Sequence, residues 1–132
     1  MAKILYVEDN EMNRDMLSRR LQRQGFEVFT AENGPRGVAM AEELMPDLIL
    51  MDINLGDDTM DGWDATVLIK ERASTAAIPI MPLTAHALTS DRDKSIALGC
   101  CDFDTKPIDL PRLLSKIKAA LHGGAHPEAN AA

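Results

Sequence analysis

Five short apolar runs punctuate this chain, at residues 3–7, 26–30, 47–51, 79–83 and 101–105, with an amphipathic segment of ten or more residues between successive runs and after the last. Strand-then-helix repetition of this kind builds βαβ units and a parallel sheet. The runs KILYV (3–7) and DLILM (47–51) are nearly continuous rather than alternating. Strands covered by helices on both faces read that way. The pattern therefore predicts an α/β fold with a five-stranded parallel sheet and five helices. The 132 residues fit one domain with a sizeable core.

The helix boundaries are well signed. Asn10 or Glu11 opens the first helix and Gly25 closes it, with Leu17 and Leu21 as an i,i+4 apolar pair beside Met16 and Arg20. Asn33-Gly34-Pro35 starts the second, in which Val38, Ala41, Leu44 and Met45 keep helical spacing and Pro46 ends it. The third is expected over Gly62 to Ala73 with Ala65, Leu68 and Ile69 inward, and the fourth over 87–98, ending at Gly99. Asp109 caps the fifth, whose apolar stripe is Leu110, Leu113, Leu114, Ile117 and Leu121. Beyond it the sequence turns to HGGAHPEANAA, too small and polar to order itself. One domain over 1–122 and a disordered tail over 123–132 are expected.

Asp9, Asp52, Thr84 and Lys106 each stand just past the end of an apolar run. If those runs are neighbouring parallel strands, the four side chains meet on one edge of the sheet. Open α/β sheets bind ligands there, outside the strand carboxyl ends. Glu8 joins Asp9 and Asp52 at the same edge. Carboxylates forced together repel and raise one another's pKa unless a cation intervenes. Oxygen-only donors suit a hard cation such as Mg²⁺, which takes one or two carboxylates and keeps several waters. The group has no clustered His or Cys, so zinc is not expected. Lys106 offers a point charge to phosphate oxygens, and Thr84 a hydroxyl. An aspartate can itself be the nucleophile and become an acyl phosphate. Asp52, at the end of the most apolar run, is the best-placed candidate. Taken singly, each acid has a plainer role as a helix cap, and Thr84 as a strand end.

Charge narrows the partners. The chain carries 14 basic and 21 acidic residues, a net charge of −7. Phosphate backbones need clustered Lys and Arg, so direct nucleic-acid binding is not expected. No apolar run approaches the ~20 residues of a membrane span, and MAKILYVEDN enters a strand at once with no signal-peptide pattern. A cytoplasmic protein without membrane contact is the expectation. Cys100 and Cys101 are adjacent, which suits two reduced thiols better than a strained vicinal disulfide.

The pieces YVEDNEMNRDML, DLILMDINL, IPIMPLTAHA and GCCDFDTKP resemble, in order, spacing and context, the receiver domain of two-component response regulators. The likeness runs from about residue 3 to 121. It is nearest to the small single-domain receivers of cell-cycle and phosphorelay type. The resemblance implies a doubly wound, flavodoxin-like sheet in the order 2-1-3-4-5. It also implies that Asp52 accepts a phosphoryl group from a phosphohistidine on a sensor kinase or a histidine phosphotransfer protein. Glu8, Asp9, Asp52 and the backbone carbonyl of Asn54 would hold Mg²⁺. Lys106 would pair with phosphoryl oxygens, with the Lys106–Pro107 peptide cis. Thr84 and the backbone N–H of Ala85 would contact the phosphoryl group, and Phe103 would follow Thr84 inward as the switch. The fourth helix, fifth strand and fifth helix would be read by an unknown downstream protein, and the first helix near Met12 and Met16 would face the kinase. Core packing is the plainer role for those methionines. The chain would be a phosphoacceptor rather than an enzyme acting on others, and homodimerisation is left open.

Departures from the family pattern fall near the site. Gly56 replaces a customary proline, and the loop 53–62 runs about two residues longer. Asn54 and His86 occupy places where side chains tune phosphoryl hydrolysis in this family. Cys101 stands where an acid is common. Pro82 interrupts the fourth run, which calls for a bulge or an unused N–H side.

Rival readings are weaker. Asp57, Thr59, Asp61 and Gly62 fit the first positions of a calcium loop, but Leu68 stands where the bidentate Glu belongs. No G-x-G-x-x-G follows the first run, against a dinucleotide site. An aspartate phosphatase would want a second acid where Asn54 stands. A receiver fold that docks partners without being phosphorylated would need a broken acceptor set, and here it is intact.

Overall fold

The two most apolar runs lie side by side in the middle of the sheet. The computed structural model describes residues 1–55, 60–85 and 89–122. Its elements alternate as β1 (Lys3–Val7), α1 (Glu11–Arg23), β2 (Glu27–Ala31), α2 (Gly34–Leu44), β3 (Leu48–Asp52), α3 (Gly62–Glu71), β4 (Ile80–Thr84), α4 (Thr89–Ala97), β5 (Asp104–Thr105) and α5 (Leu110–Leu121). All pairings are parallel, in the order β2-β1-β3-β4-β5. The strand order reverses at β1 and β3, which opens the ligand crevice of a doubly wound sheet at their carboxyl ends.

Each side of the sheet has its own core. Leu5, Val7, Ile49, Met51 and Ile80 pack with Val38 and Ala41 of α2 and Trp63, Ala65 and Ile69 of α3. Ile4, Tyr6, Leu48, Leu50, Met81 and Leu83 pack with Leu17 and Leu21 of α1 and Leu113 and Ile117 of α5. The period-two alternation of strand side chains assigns them to these two layers.

Side-chain caps start the helices where the sequence places them. Asn10, Asn33 and Asp109 accept from the backbone N–H three residues on, opening α1, α2 and α5. Asp61 and Asp64 form a reciprocal capping box at α3. That helix ends at Glu71 rather than Ala73, because the Thr75 hydroxyl donates to the Ile69 carbonyl (2.7 Å) and takes the place of a further helical turn.

Three strands run one residue later than their apolar runs. Asp52 and Thr84 are therefore the last residues of β3 and β4, not residues beyond them. Asp52 still pairs with Leu83, and the Ile53 N–H still donates to the Leu83 carbonyl at 3.0 Å. Pro82 sits in unbroken register opposite Met51, so there is no bulge. Alternation along β4 turns its nitrogen towards β5, and β5 begins only opposite Leu83. The missing N–H thus falls where no ladder partner exists.

The strand expected over 101–105 shrinks to Asp104–Thr105. Asp102 accepts from its neighbour's N–H on Phe103, and Asp104 from that of Thr105, both at 2.8 Å. Such local bonds compete with a ladder. The adjacent thiols are free and buried in opposite layers, Cys100 with α2 and α3 and Cys101 with α1 and α5. Burial pushes them up to about 12 and about 11, so both stay protonated and inert.

Among the described residues no helix is long and apolar enough to cross a membrane. The expected tail at 123–132, residues 56–59 of the unusual loop, and His86 lie outside the described residues.

Candidate functional site

Parallel pairing brings the ends of β1, β3, β4 and β5 to one edge, and the chemistry-bearing residues come with them. Glu8 and Asp9 follow β1, Asp52 ends β3, Thr84 ends β4 and Lys106 follows β5. Glu8, Asp9 and Asp52 each place a carboxylate oxygen within 4.8 Å of the others. Asp9 is exposed, whereas Glu8 and Asp52 are each 1% exposed. The ammonium of Lys106 lies 3.1 Å from Glu8 Oε1 and 3.2 Å from Asp52 Oδ1.

Further donors fix the two buried acids. The Tyr6 hydroxyl donates to Glu8 Oε1 (3.0 Å), and the Asn10 N–H reaches Glu8 Oε2 at 3.4 Å. The Asn54 N–H donates to Asp52 Oδ1 (3.1 Å). Arg14 of α1 donates to the Glu8 carbonyl (2.9 Å), tying the first helix to the turn that carries the acids.

Burial, followed by the hydrogen bond and charge of Asp52, raises the Glu8 carboxyl above its ordinary range; Lys106 pulls the other way without cancelling this. Burial alone would lower the Lys106 ammonium, but Asp52 and Glu8 outweigh it and raise it. Burial and then Glu8 push the Tyr6 phenol well up, which keeps it a donor. The site therefore holds more negative charge than one lysine neutralises. Three convergent carboxylates with only oxygen donors fit a hard divalent cation.

Glycine at position 62 makes the site compact. A Cβ there would overlap the Asp52 carbonyl oxygen and come within 2.6 Å of Ile53 Cα. Only glycine lets the start of α3 close onto the end of β3, where the Gly62 N–H donates to the Ile53 carbonyl (3.2 Å). Asp61 caps that helix, so the calcium-loop reading loses one of its donors to a structural role.

Other expected residues stand around this centre. Thr84 is buried, and its hydroxyl donates to Asp91 Oδ2 of α4 at 2.9 Å. Ala85 follows it, exposed. Phe103 is half-buried, with its carbonyl accepting from Lys116 Nζ (2.6 Å) and its ring 5.3 Å from that ammonium. The Lys106–Pro107 peptide is cis. Met16 is 46% exposed and Met12 73% exposed, so neither is a core residue. Met16 lines a groove of about 540 Å³ with Tyr6, Leu17, Arg20, Lys106, Pro107 and Ile108.

Three contributors escape a reading of the sequence alone. Asp91 looks like an ordinary acid in a helix's first turn. Tyr6 looks like a core aromatic, although its place two residues before Glu8 on the same side of the chain is a usable signal. Trp63 follows Gly62 and lines the cleft beside Asn54 and Thr84.

An open doubly wound sheet in the order β2-β1-β3-β4-β5, with an acidic crevice at its switch point, a buried terminal aspartate and a lysine bridging it, is the flavodoxin-like architecture of receiver domains. The chain belongs to the response regulator receiver domain family, whose model matches residues 4–118. It is 37% identical over 123 residues to protein PilH of Pseudomonas aeruginosa, covering 93% of this chain and all of that one. It is 34% identical over 118 residues to the polar-differentiation response regulator DivK of Brucella anthropi, covering 89% of this chain and 94% of that one. Among solved structures it resembles the receiver domain of the sensor histidine kinase PA1611 from Pseudomonas aeruginosa PAO1, which has a magnesium ion coordinated in its active site cleft. The two are 32% identical with a TM-score of 0.82, over 92% of this chain and 98% of that one.

Proposed function

We propose that Asp52 accepts a phosphoryl group from a phosphohistidine on a sensor histidine kinase or a histidine phosphotransfer protein, and that the modified state is read by a downstream protein at the α4–β5–α5 surface. The observation that carries this reading is the Lys106 ammonium within 3.2 Å of both Asp52 and Glu8, beside a three-carboxylate cluster.

In the step itself an Asp52 oxygen attacks phosphorus in line, an acyl phosphate forms and the P–N bond breaks. The leaving imidazole keeps the nitrogen's electron pair and takes a proton from solvent. Glu8, Asp9, Asp52 and the Asn54 carbonyl would hold Mg²⁺, which neutralises charge on the transferring oxygens when bound. Lys106 would turn from Glu8 and Asp52 to a phosphoryl oxygen, and Thr84 and the Ala85 N–H would donate to the others. The groove along α1, with Met16 and Arg20 at its rim, lies on the Lys106 side and suits an approaching donor helix. The reading goes with a cytoplasmic receiver domain over 1–122 that works through protein partners; the net charge of −7 supports the absence of direct nucleic-acid binding.

Acetyl phosphate with Mg²⁺ tests it by intact mass. A gain of one phosphoryl group is expected, lost in Asp52→Asn and on chelation. No gain in the natural chain would favour a partner-docking module that is not phosphorylated.

A further inference from the structure

Thr84 is the only neutral side-chain donor that the proposed chemistry assigns to the phosphoryl group, and its hydroxyl is already engaged. It donates to Asp91 Oδ2 at 2.9 Å, part-buried, and Asp91 is the acid in the first turn of α4. A hydroxyl has a single proton to donate, and phosphoryl oxygens only accept. Thr84 therefore cannot serve Asp91 and a phosphoryl group together. From this competition we infer that Asp91 is a positioning residue for the acceptor site: it holds the Thr84 hydroxyl on α4, and occupancy of the site by a phosphoryl group takes that hydroxyl from it. The inference rests on the reading of Asp52 as the acceptor.

The contact ties chemistry to one helix. Thr84 ends β4 and belongs to the rigid sheet, whereas Asp91 belongs to the helix that follows. Loss of the bond removes a link between the sheet edge and the first turn of α4. A second link lies one turn further on, where the Lys94 ammonium stands 5.0 Å over the Trp63 ring of α3. Trp63, Thr84 and Asp91 share one cleft of about 410 Å³. Since Trp63 is the chain's one tryptophan, its fluorescence reports on that cleft and on Lys94 together. An acid in a first helical turn is also favoured by the helix dipole alone. That plain structural role predicts no dependence on Thr84, which separates the two.

The test is a titration of the full chain with beryllium fluoride and Mg²⁺, a non-covalent phosphoryl mimic, followed by Trp63 fluorescence and calorimetry. Five proteins are compared: the natural chain, Asp91→Ala, Asp91→Asn, Thr84→Ala and the double variant of Thr84→Ala with Asp91→Ala. A hydrogen bond to a charged group implies that Asp91→Ala binds the mimic about tenfold more tightly. In the Thr84→Ala background the same substitution should change nothing. Asp91→Asn, which keeps an acceptor oxygen but no charge, should fall between. Unchanged affinity in Asp91→Ala overturns the inference. So does equal tightening with and without Thr84, which would mark simple repulsion between Asp91 and the anion. Failure of the natural chain to bind the mimic would instead overturn the acceptor reading itself.

Discussion

The ammonium of Lys106 meets the carboxylate of Glu8 at 3.1 Å although β3 and β4 lie between the strands that carry them. Only a lysine-length side chain reaching back over the sheet edge can close that span, and it passes Asp52 at 3.2 Å on the way. The two acids are almost fully buried and Lys106 is 23% exposed, so water screens the triad weakly.

Removing that cation should expose the conflict it relieves. Lys106→Met leaves two facing buried carboxylates without a counter-charge. Breaking a buried pair from one side costs about 3 kcal/mol or more at neutral pH. Urea unfolding without divalent ions should show that loss at pH 7 and a smaller one in acid, as pH falls through the raised Glu8 range and a proton on Glu8 takes the place of the lysine. Lys106 is raised above its ordinary 10.5, so its own contribution is present below that pH and lost as pH climbs through the raised value. An equal loss at both acid and neutral pH would contradict the account.

Glu8 titrates in the opposite sense from a stabilising acid. Its folded pKa lies above the ordinary 4.5, so the folded state holds this proton more tightly than the unfolded chain. Its contribution to stability therefore falls as pH rises from 4.5 through the raised value, and above that the metal-free site is strained by its own charge. A bound divalent cation needs the ionised form, so Mg²⁺ affinity should rise across the same window with proton release. Calorimetry in two buffers of different ionisation enthalpy measures that release. Glu8→Gln should abolish most of it, and pH-independent Mg²⁺ binding by the natural chain would count against the scheme.

Gly62 links the site to the scaffold. Gly62→Ala forces a methyl against the Asp52 carbonyl and Ile53 Cα, both backbone atoms that cannot turn aside. Overpacking of this kind costs about 1–3 kcal/mol. Because the yielding atoms belong to Asp52 and its neighbour, α3 or the acceptor must shift. The expected outcome is a lower melting temperature together with slower mass gain from acetyl phosphate. A destabilised variant with unchanged phosphorylation would separate the glycine from the site.

The parts of this molecule legible in sequence are those with local causes. Asn10, Asn33 and Asp109 cap the helices they precede because the cap is a contact across three residues. Continuous aliphatic runs announce strands buried on both faces, and the four terminal residues meet because parallel topology aligns strand ends. What escapes is set by tertiary geometry or by one-residue competition. Strand ends slid onto Asp52 and Thr84 because a ladder can carry a polar residue at its rim. The fifth strand shortened because Asp102 and Asp104 take their neighbours' N–H groups. Asp91 was hidden because nothing in a helix's first turn says which strand end it will meet.

Asp104 shows the same limit and yields the last prediction. It lies inside an apolar-looking run yet is 1% exposed, with Oδ1 accepting from Arg112 Nε and from the Thr105 N–H (both 2.8 Å) and the Lys116 ammonium 3.7 Å away. Its Oδ2 is buried without a hydrogen-bond partner among the described residues. Arg112 thus supplies the nearest counter-charge to a buried carboxylate whose second oxygen has no such hydrogen-bond partner, on the β5–α5 surface proposed for readout. Arg112→Ala should lower stability by about 2 kcal/mol, less than a wholly buried pair because the guanidinium is 42% exposed. Asp104→Leu removes the buried charge and should be near neutral, and in the double variant it should recover most of what Arg112→Ala loses. Chemical denaturation of the four proteins measures that coupling, and strict additivity would show that Asp104 does not depend on Arg112.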